Sequence, residues 1–390
     1  MMLRSVLLTL CLPTVALAAD PVAQGPKNVP EFEPAFANQT RAPAMTSSFG
    51  VDAAWFARGL ERPWGMATLP DGGFLVTERV GRLRMLSPDG TDLGEVSGLP
   101  EVFVKGQGGM LDVMVGPNFA DDGLVYGTYA KPMDGGTSVT AAFVATLDAE
   151  ARQLNDVQDI FVQDPPSPTA AHYGSRILFG ADGDLYITTG EHSSRNERVL
   201  AQDLNTTYGK VIRLNGDGST PTDNPYDSQV WTYGHRNMQG AAVRPSDGAL
   251  FTIEHGPKGG DELNLIQRGA NYGWPVVSYG ENYNGRPVGT GQHSAEGMAE
   301  PVYYWDPVIA PGGMAFYEGA MFPEWQGDLI IASLNPGGVV RLRLEGDRVI
   351  GEERFLRGTR IRDIEIAPDG AILALVDAAD GGVLRLTPDR

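Results

Sequence analysis

The sequence predicts an all-β chain that folds as a β-propeller, and two observations carry this prediction. The chain holds 50 glycines and 28 prolines, and its short apolar runs repeatedly follow turn signals. Five of these turns contain Asp-Gly, in units that begin at Leu69, Ser87, Gly180, Arg244 and Ala367. An Asp-Gly pair forms a tight turn because glycine accepts a positive φ and aspartate can hydrogen-bond its own backbone. No long amphipathic helix competes with these turn-and-strand units.

Repetition of this unit over about 340 residues indicates β repeats around an axis, and roughly 40 to 50 residues per blade predicts six to eight blades. A pair of β-sandwiches and a β-helix are the alternatives. The β-helix is disfavoured because the repeats are too long and irregular for stacked rungs. A propeller gathers loops from every blade around one channel mouth. Residues far apart in the sequence can therefore form one site.

The N-terminal residues 1–19 have the pattern of a cleaved secretory signal. Arg4 precedes an apolar run that ends in small residues at Ala18, as such signals do. A membrane anchor is the weaker alternative, because the run is too short to span a bilayer and Pro13 interrupts it. We therefore expect a periplasmic or secreted protein without membrane insertion. Cys11 is the only cysteine, so the mature chain is predicted to lack disulfides and thiolate metal sites.

The remaining chain is predicted to contain a weakly structured lead-in, residues 20–48, and a single catalytic propeller domain, residues 49–390, as a monomer or a homodimer. The formal net charge is −19, from 49 acidic and 30 basic residues. Coulomb repulsion makes nucleic acid and anionic membranes poor partners for such a chain, whereas surface acidity keeps an exported protein soluble. A bound anion would need a local cluster of arginines.

Residues 231–275 combine polar groups that a strand scaffold has little structural use for. Arg236 and Asn237 offer a fixed cation and an amide. The glycine-rich loop 256–262 exposes backbone carbonyls beside Asp261 and Glu262. Carbonyl and carboxylate oxygens are the ligands that a hard cation such as calcium prefers. This stretch therefore predicts a pocket for a cofactor and a metal.

His172 is the candidate general base. None of the five histidines has the His-x-x-x-His spacing of a helical zinc site. His172 begins a strand, turn and strand that end at Glu191, and the return of this hairpin would bring the two side chains together. A carboxylate beside an imidazole fixes its tautomer and raises its basicity. A structural ion pair between neighbouring strands is the alternative.

Three arginines indicate a polyanionic ligand. Arg360 and Arg362 alternate on one face if they lie on a strand, and two guanidiniums there repel each other unless an anion lies between them. A solvated edge strand is the alternative. With Arg236 they would suit a ligand with several carboxylates. Gln107 lies in a glycine-rich loop that looks ordinary by itself, and Trp305 is either a stacking or a packing aromatic.

Several segments, taken in order, resemble the soluble quinoprotein sugar dehydrogenases. This is the glucose and sorbosone dehydrogenase family, and the periplasmic aldose sugar dehydrogenases within it are the most similar. The resemblance covers residues 50–388. The segments are HYGSR from His172, YGKVIRLNGDGSTPTDNP from Tyr208, GHRNMQG from Gly234, EHGPKGGDELN from Glu254, NYGWP from Asn271 and TRIRD from Thr359.

The resemblance implies a six-bladed propeller that binds pyrroloquinoline quinone (PQQ), a planar tricarboxylate, with calcium at the top of the channel. The implied reaction is oxidation of an aldose at its C1 hydroxyl to the lactone, with an external electron acceptor. His172, oriented by Glu191, would take the hydroxyl proton as hydride passes to the quinone. Arg236 would stabilise the charge that develops on the quinone oxygen.

The resemblance also implies the residues that hold the cofactor and the metal. The carbonyls of Gly256 and Pro257 would bind calcium, with Asp261 and Glu262 as further candidate ligands. The cofactor and the sugar would contact the remaining matched residues: Gln107, His172, Arg236, Asn237, Arg360, Arg362 and Trp305.

Two other functions compete with this one. A calcium-dependent sugar lactonase would also use a central metal, but it needs carboxylate ligands and a water nucleophile rather than arginines that await a polyanion. A non-catalytic extracellular binding propeller is the other candidate. The presence of His172, Arg236, Arg360 and Arg362 argues against it.

Overall fold

Six four-stranded antiparallel sheets make up the computed structural model, which describes residues 19–389. Each sheet is one blade, and the innermost strands of neighbouring blades contact one another around a ring. The predicted six-bladed β-propeller is therefore confirmed. Residues 1–18, which hold nearly all of the predicted signal, lie outside the described residues.

The strands run from the inside of each blade outwards. The first, β1 (Val51–Leu60), belongs to the sixth blade. The first blade is β2 (Pro63–Thr68), β3 (Phe74–Glu78), β4 (Arg82–Leu86) and β5 (Asp92–Glu95). The second is β6 (Met110–Val115), β7 (Leu124–Pro132), β8 (Ser138–Asp148) and β9 (Gln153–Val162). The third is β10 (Gly174–Phe179), β11 (Leu185–Thr189), β12 (Lys210–Leu214) and β13 (Val230–Tyr233).

The second half of the chain repeats the pattern. The fourth blade is β14 (Met238–Val243), β15 (Leu250–Glu254), β16 (Asp261–Leu265) and β17 (Tyr303–Trp305). The fifth is β18 (Pro311–Phe316), β19 (Leu329–Ser333), β20 (Gly338–Glu345) and β21 (Arg348–Phe355). The sixth is β22 (Ile361–Ile366), β23 (Ile372–Val376), β24 (Gly381–Pro388) and β1.

Helices are short throughout the described residues. The α-helix is α1 (Phe119–Asp122), and the 3₁₀-helices are Asp134–Gly136, Arg198–Gln202, Pro225–Asp227 and Pro323–Trp325. Between residues 19 and 389, none of these helices has the length and apolar character that a membrane crossing requires.

Pairing of the two chain ends closes the ring. β1 pairs antiparallel with β24, from Val51 opposite Pro388 to Leu60 opposite Gly381. The sixth blade thus takes its outermost strand from the start of the domain and the other three from its end. This pairing protects the edge that β24 would otherwise expose.

The hydrophobic core is divided among the interfaces between blades. Six clusters of buried side chains each join two neighbouring blades. Between the fourth and fifth blades, for example, Phe251 and Ile253 pack with Met314 and Ile331. Inner strands such as β3, β11 and β15 bury side chains on both faces of their sheets, because a neighbouring blade covers each face. This explains why many strands read as continuous apolar runs.

The Asp-Gly turns mark one end of the blades. Four of the five predicted turns join the innermost strand of a blade to its second strand, with Gly72, Gly183, Gly248 and Gly370 at φ between 75° and 87°. The opposite ends of these strand pairs therefore meet at the other end of the channel. That end is the mouth where the candidate site lies.

Arg176 of β10 closes the channel below this mouth and contacts every blade. Its guanidinium pairs with Asp112 of the second blade at 3.0 Å and Asp363 of the sixth at 2.8 Å. Its Nε donates to the Gln239 carbonyl of the fourth blade at 2.7 Å, and its guanidinium lies 4.6 Å from the ring of Trp64 on β2, the inner strand of the first blade. In the fifth blade, a Cβ on Gly313 would lie 1.6 Å from Asp363 Oδ1. Only glycine fits beside this ion cluster.

Replacing Arg176 with methionine is expected to lower the free energy of unfolding by about 3–5 kcal/mol, because two buried carboxylates lose their cation. Burial already raises the pKa of Asp112 to about 6, with Asp363 adding to it and Arg176 opposing it. Without Arg176, the two buried carboxyl groups destabilise the fold least at low pH, where they are protonated. The loss of unfolding free energy should therefore be larger at pH 8 than at pH 5. Urea unfolding followed by tryptophan fluorescence measures both.

The control is Arg385→Met. Arg385 pairs with Asp369 at the surface, where a pair contributes about 0–1 kcal/mol. Equal losses for the two variants would contradict the structural role of Arg176.

The predicted lead-in, residues 20–48, contains no helix or strand, yet it is bonded to the outer strands of two blades. The Asn28 amide donates to Asp306 at 2.9 Å, and the Ala42 amide donates to the Tyr303 hydroxyl at 3.0 Å. Met45 donates to the Glu352 carbonyl at 2.8 Å. The segment therefore lies against the fourth and fifth blades.

Candidate active site

The blade geometry brings two kinds of position to the mouth. The first kind precedes an innermost strand, as His172, Asn237 and Arg360 do. The second follows the second strand of a blade, as Arg79, Glu191, His255, Leu334 and Asp377 do. Each innermost strand also has a register irregularity near its start. Such irregularities redirect side chains, which is common beside functional sites.

These positions surround a cavity of ≈ 170 Å³ at the mouth. Its lining includes six of the eight residues predicted to be catalytic or to contact the cofactor, together with several others. Its lining residues are Trp64, Arg79, Gln107, His172, Arg236, Asn237, Gln239, His255, Tyr283, Leu334, Arg360 and Arg362.

His172 and Glu191 form a buried pair beside this cavity. His172 Nδ1 lies 3.2 Å from Glu191 Oε1, as the hairpin return predicts, and Glu191 also accepts the Ser193 amide. The His172 backbone has a left-handed φ of 48°, which is uncommon outside glycine. Its amide donates to the Gln107 side chain at 2.8 Å. Gln107 therefore supports the conformation that presents the imidazole at the cavity.

The pKa values of the pair favour a neutral imidazole beside an ionised carboxylate. Burial and the charge of Arg236 lower the pKa of His172, although Glu191 raises it. Burial alone would raise the pKa of Glu191, but His172, Arg236 and the Ser193 amide together lower it. With Nδ1–H donating to Glu191, the lone pair of His172 Nε2 is free to accept a proton.

Arg236 lies next to this pair on the wall of the cavity. Its Nη1 donates to the His255 carbonyl at 3.0 Å, and its guanidinium lies 5.2 Å from the Trp274 ring. Its Nε is buried without a hydrogen-bond partner among the described residues, and Glu191 Oε1 is 4.0 Å away. The guanidinium is therefore fixed in place and still has capacity to bind an anion.

Three more guanidiniums line the cavity, those of Arg79, Arg360 and Arg362, and two of them share one carboxylate. Asp377 Oδ2 accepts from Arg360 at 3.0 Å and from Arg362 at 2.7 Å. Burial lowers the pKa of Arg362 to about 10, and Arg360 and Arg79 add to this while Asp377 opposes it. Burial likewise lowers the pKa of Arg79. The positive charge here exceeds the negative charge, as a polyanion site requires.

Asn237 and His255 complete the polar wall. Asn237 Oδ1 accepts the Gly174 amide at 3.0 Å, which points the Asn237 side chain along the start of β10. His255 Nε2 lies 3.1 Å from Gln239 Oε1. Burial and the charges of Arg236 and Arg362 hold the pKa of His255 well below its usual range. His255 is therefore a neutral neighbour rather than a fifth cation.

The loop predicted to bind a metal is held by Asp261. Its carboxylate accepts the Gly256, Ile309 and Ala310 amides at 2.7, 2.8 and 2.7 Å. The carbonyls of Gly256 and Pro257 accept no hydrogen bond from the described residues, and Pro257 lies beside Arg236 on a neighbouring cleft.

Asp261 and Glu262, the two side chains expected as further metal ligands, lie in surroundings that differ from each other. Asp261 is fully buried and bonded to backbone amides, so the structure gives it a role in shaping the loop. Glu262 lines a small void of ≈ 10 Å³ with Glu254. Burial and the charge of Glu254 raise the pKa of Glu262 well above its usual range. Among the described residues, no group of three or more His, Cys, Asp or Glu side chains could hold a metal ion.

Trp305 is not among the residues that line the cavity, and its expected contact with the cofactor or substrate stays a prediction. It lies on β17, the outermost strand of the fourth blade, with 1% of its surface exposed. Its ring packs against Tyr303 at 4.8 Å between centroids.

Comparison with known proteins identifies the family. The family model described as Glucose / Sorbosone dehydrogenase matches residues 60–385. This chain belongs to that family. The predicted resemblance is confirmed, and with it the prediction of an oxidoreductase that acts on sugars.

Individual relatives agree with this assignment. The aldose sugar dehydrogenase YliI of Escherichia coli is 40% identical over 340 residues, which cover 84% of this chain and 91% of the relative. The apo structure of the soluble aldose sugar dehydrogenase from Escherichia coli has a TM-score of 0.84 at 38% identity, with 87% and 100% of the two chains covered. The PQQ-bound aldose sugar dehydrogenase of Streptomyces coelicolor has a TM-score of 0.71 at 30% identity, with 89% and 100% covered.

The cavity of this family member also contains residues that the sequence reasoning missed: Trp64, Arg79, Gln239, His255, Tyr283 and Leu334. The positions of Arg79 and His255 in the sequence could have indicated their place in the cavity. Each directly follows the second strand of its blade. That position recurs at the mouth in a propeller.

Replacing Glu191 with glutamine is expected to lower kcat of the loaded enzyme at least about tenfold, because the base loses the charge that raises its proton affinity. Glu191 raises the pKa of His172. Its loss should therefore move the acid limb of kcat/KM to lower pH. A pH profile measures both effects.

Glu197→Gln is the matched control, since Glu197 lies in the same loop, bonds Ser167 and Thr169, and does not line the cavity. Glu191→Asp should restore part of the lost rate. An unchanged acid limb in Glu191→Gln would contradict the pairing with His172.

Proposed function

We propose that this chain is a PQQ-dependent aldose dehydrogenase that oxidises the C1 hydroxyl of an aldose to the lactone and passes the electrons to an external acceptor. One observation carries the proposal. Four arginines line the mouth cavity beside a buried His172–Glu191 pair. A base and a polyanion site are thus adjacent.

The residues fit a planar tricarboxylate. Arg360 and Arg362 share the carboxylate of Asp377, and the carboxylate beside Arg236 is Glu191 at 4.0 Å. The Nε atoms of Arg236 and Arg362 are buried without partners in the described part of the chain. Guanidinium forks match carboxylate geometry. We infer that Arg360 and Arg362 pair with cofactor carboxylates and that Asn237 and Gln107 hold its polar edge.

When bound, PQQ supplies a quinone that accepts a hydride equivalent. The chain's own residues supply the rest. Nε2 of His172 accepts the C1 hydroxyl proton, while Glu191 orients the ring through Nδ1 and stabilises the imidazolium that forms. Arg236 holds the negative charge that develops during the reaction, at a site where water is largely excluded.

Calcium is proposed at the carbonyls of Gly256 and Pro257. Their lack of hydrogen-bond donors within residues 19–389 supports this, since a hard cation binds carbonyl oxygens. Asp261 would act through the shape of the loop, and Glu262 stays a candidate ligand for a further cation. Bound calcium would position and polarise the cofactor.

Export to the periplasm or outside the cell is part of the proposal, on the signal pattern of residues 1–19. The partners would be an aldose and an external electron acceptor, without nucleic acid or membrane insertion. The chain would act as a monomer or a homodimer.

The test is to incubate the purified cofactor-free protein with PQQ and calcium, and then to add an aldose and an artificial acceptor dye. Dye reduction that requires both PQQ and sugar is expected. If no aldose of a broad panel supports dye reduction, the proposal is wrong. Hydrolysis of sugar lactones without PQQ would favour the lactonase, and sugar binding without turnover would favour the binding propeller.

A further inference from the structure

A second cleft opens beside the mouth cavity. Its volume is ≈ 610 Å³, and it shares Arg236 and Tyr283 with the cavity. The cleft is therefore adjacent to the site where C1 of the sugar would react. Its other lining residues are Glu191, Ser193, Arg195, Arg198, Pro257, Trp274, Asn282, Asn284, Arg286, Pro287 and Gly289.

The cleft is basic on a chain whose formal net charge is −19. Arg195, Arg198 and Arg286 line it, and within residues 19–389 none of the three forms an ion pair with a carboxylate. The carboxylate that lines it is Glu191, which is already bonded to His172. Three unpaired guanidiniums on one concave surface attract an anion.

One of these arginines is fixed in position relative to the redox site. Arg198 Nη1 donates to Asn282 Oδ1 at 2.9 Å, and its guanidinium lies 5.8 Å from the Trp274 ring. Arg236 lies 5.2 Å from the same ring. Trp274 Nε1 is buried and has no hydrogen-bond partner in the described chain. Trp274 thus packs against both Arg198 of the cleft and Arg236, which lines the cleft and the cavity.

The remaining lining suits a sugar. Tyr283 is 75% exposed and stands between Asn282 and Asn284 at the edge of both cavities. Aromatic rings pack on apolar faces, such as the C–H face of a pyranose, and side-chain amides can both donate to and accept from hydroxyls. A small anion without hydroxyls would use neither feature.

We propose that this cleft selects aldoses that carry a carboxylate or phosphate away from C1, held by Arg195, Arg198 and Arg286 with Tyr283 against the ring. This inference rests on the proposed function. The reaction is unchanged. His172 would again take the O1 proton, PQQ when bound would supply the acceptor for the hydride from C1, and the anionic group would stay intact.

The test compares kcat/KM for glucuronate, glucose 6-phosphate and glucose on the cofactor-loaded enzyme with an uncharged dye. We expect the better anionic sugar to exceed glucose by about tenfold or more at low ionic strength, since a hydrogen bond to a charged group contributes that much. The advantage should shrink in high salt. Which of the two anionic sugars is better distinguishes a carboxylate site from a phosphate site.

Two variants make the test specific. The double variant Arg195→Ala, Arg286→Ala should lose most of the anionic preference. Arg58→Ala removes one positive charge from β1, the outer strand of the sixth blade, where Arg58 lines neither cavity. It should keep the preference. A wild-type preference near or below one, or the same preference in the double variant, overturns the proposal.

Two further measurements separate the alternatives. If the double variant alters the rate with the anionic dye ferricyanide but not the sugar preference, the cleft serves the acceptor and the proposal is wrong. Calorimetric titration of the cofactor-free protein should show tighter binding of glucuronate than of glucose, lost in the double variant. The titration tests the cleft even if no aldose is oxidised. A lack of oxidation would refute the proposed function and not the binding of anionic sugars in the cleft.

Discussion

Replacement of His172 with glutamine is expected to lower kcat of the PQQ-loaded enzyme by about 10²–10⁴-fold, the usual contribution of a positioned general base. Glutamine keeps a polar group beside Glu191 but cannot take up the hydroxyl proton. Cofactor binding should persist because the arginines remain. Stopped-flow measurement of the reduction of bound PQQ by glucose follows the chemical step, and a fluorescence titration with PQQ measures cofactor binding.

The pH profile gives an independent check on His172. Burial and Arg236 lower its pKa, so the neutral base should persist into mildly acidic solution. The rate should fall with acid only below the ordinary imidazole range. His293→Gln is the control, since His293 packs against Phe32 and Tyr279 away from both cavities. If His172→Gln loses cofactor binding instead of kcat, the role assigned to His172 is wrong.

Replacement of Arg236 with methionine is expected to lower kcat by about 10²–10³-fold, because a fixed cation no longer meets the charge that develops in the transition state. Arg236 also lowers the pKa values of His172 and Glu191. Both should rise in the variant, which moves the acid limb of kcat/KM to higher pH. Steady-state kinetics across pH measures the two effects together.

Arg236→Lys separates charge from geometry. It keeps the cation but loses the fork that bonds the His255 carbonyl, so its rate should lie between those of wild type and Arg236→Met. Arg268→Met is the control for lost charge alone, because Arg268 is exposed and bonds the Asp223 carbonyl elsewhere. A full rate in Arg236→Met, with the protein folded, would refute the assigned role.

The opposite shifts of the acid limb distinguish the two neighbours of His172. Glu191 raises the pKa of the imidazole and Arg236 lowers it. Loss of Glu191 therefore moves the limb down in pH, and loss of Arg236 moves it up. General damage to the fold would not produce opposite shifts.

The turns and the hairpin at His172 could be predicted because their causes are local. Asp-Gly dictates a tight turn whatever surrounds it. A strand, a turn and a second strand of matching length must then return Glu191 to the level of His172. The observed 3.2 Å between these side chains follows from that register.

Other features depend on which strand lies where. The sequence leaves the position of Trp305 open, because an apolar aromatic segment reads the same on an inner strand as on the outermost strand β17, where Trp305 lies. Arg360 and Arg362 were expected to need an anion between them. Asp377, from the end of the next strand, supplies part of that charge, and only the pairing of β22 with β23 reveals it.

Arg79 and Arg176 illustrate contacts that are not encoded by neighbours in the sequence. Arg79 sits among charged residues and looks like a surface group, but the position after β3 puts it at the mouth. Arg176 finds Asp112 and Asp363 on two other blades. Such partners are set by ring closure, in which β1 and β24 pair across the whole chain.

The most direct test of the account is a single turnover without acceptor. The protein loaded with PQQ and calcium is mixed anaerobically with a small excess of glucose, and the absorption spectrum and the sugar product are followed. We predict complete reduction of the bound cofactor with one lactone formed per site, and a rate that collapses in His172→Gln. An unchanged spectrum in the loaded wild-type protein, with every aldose tried, would contradict the account.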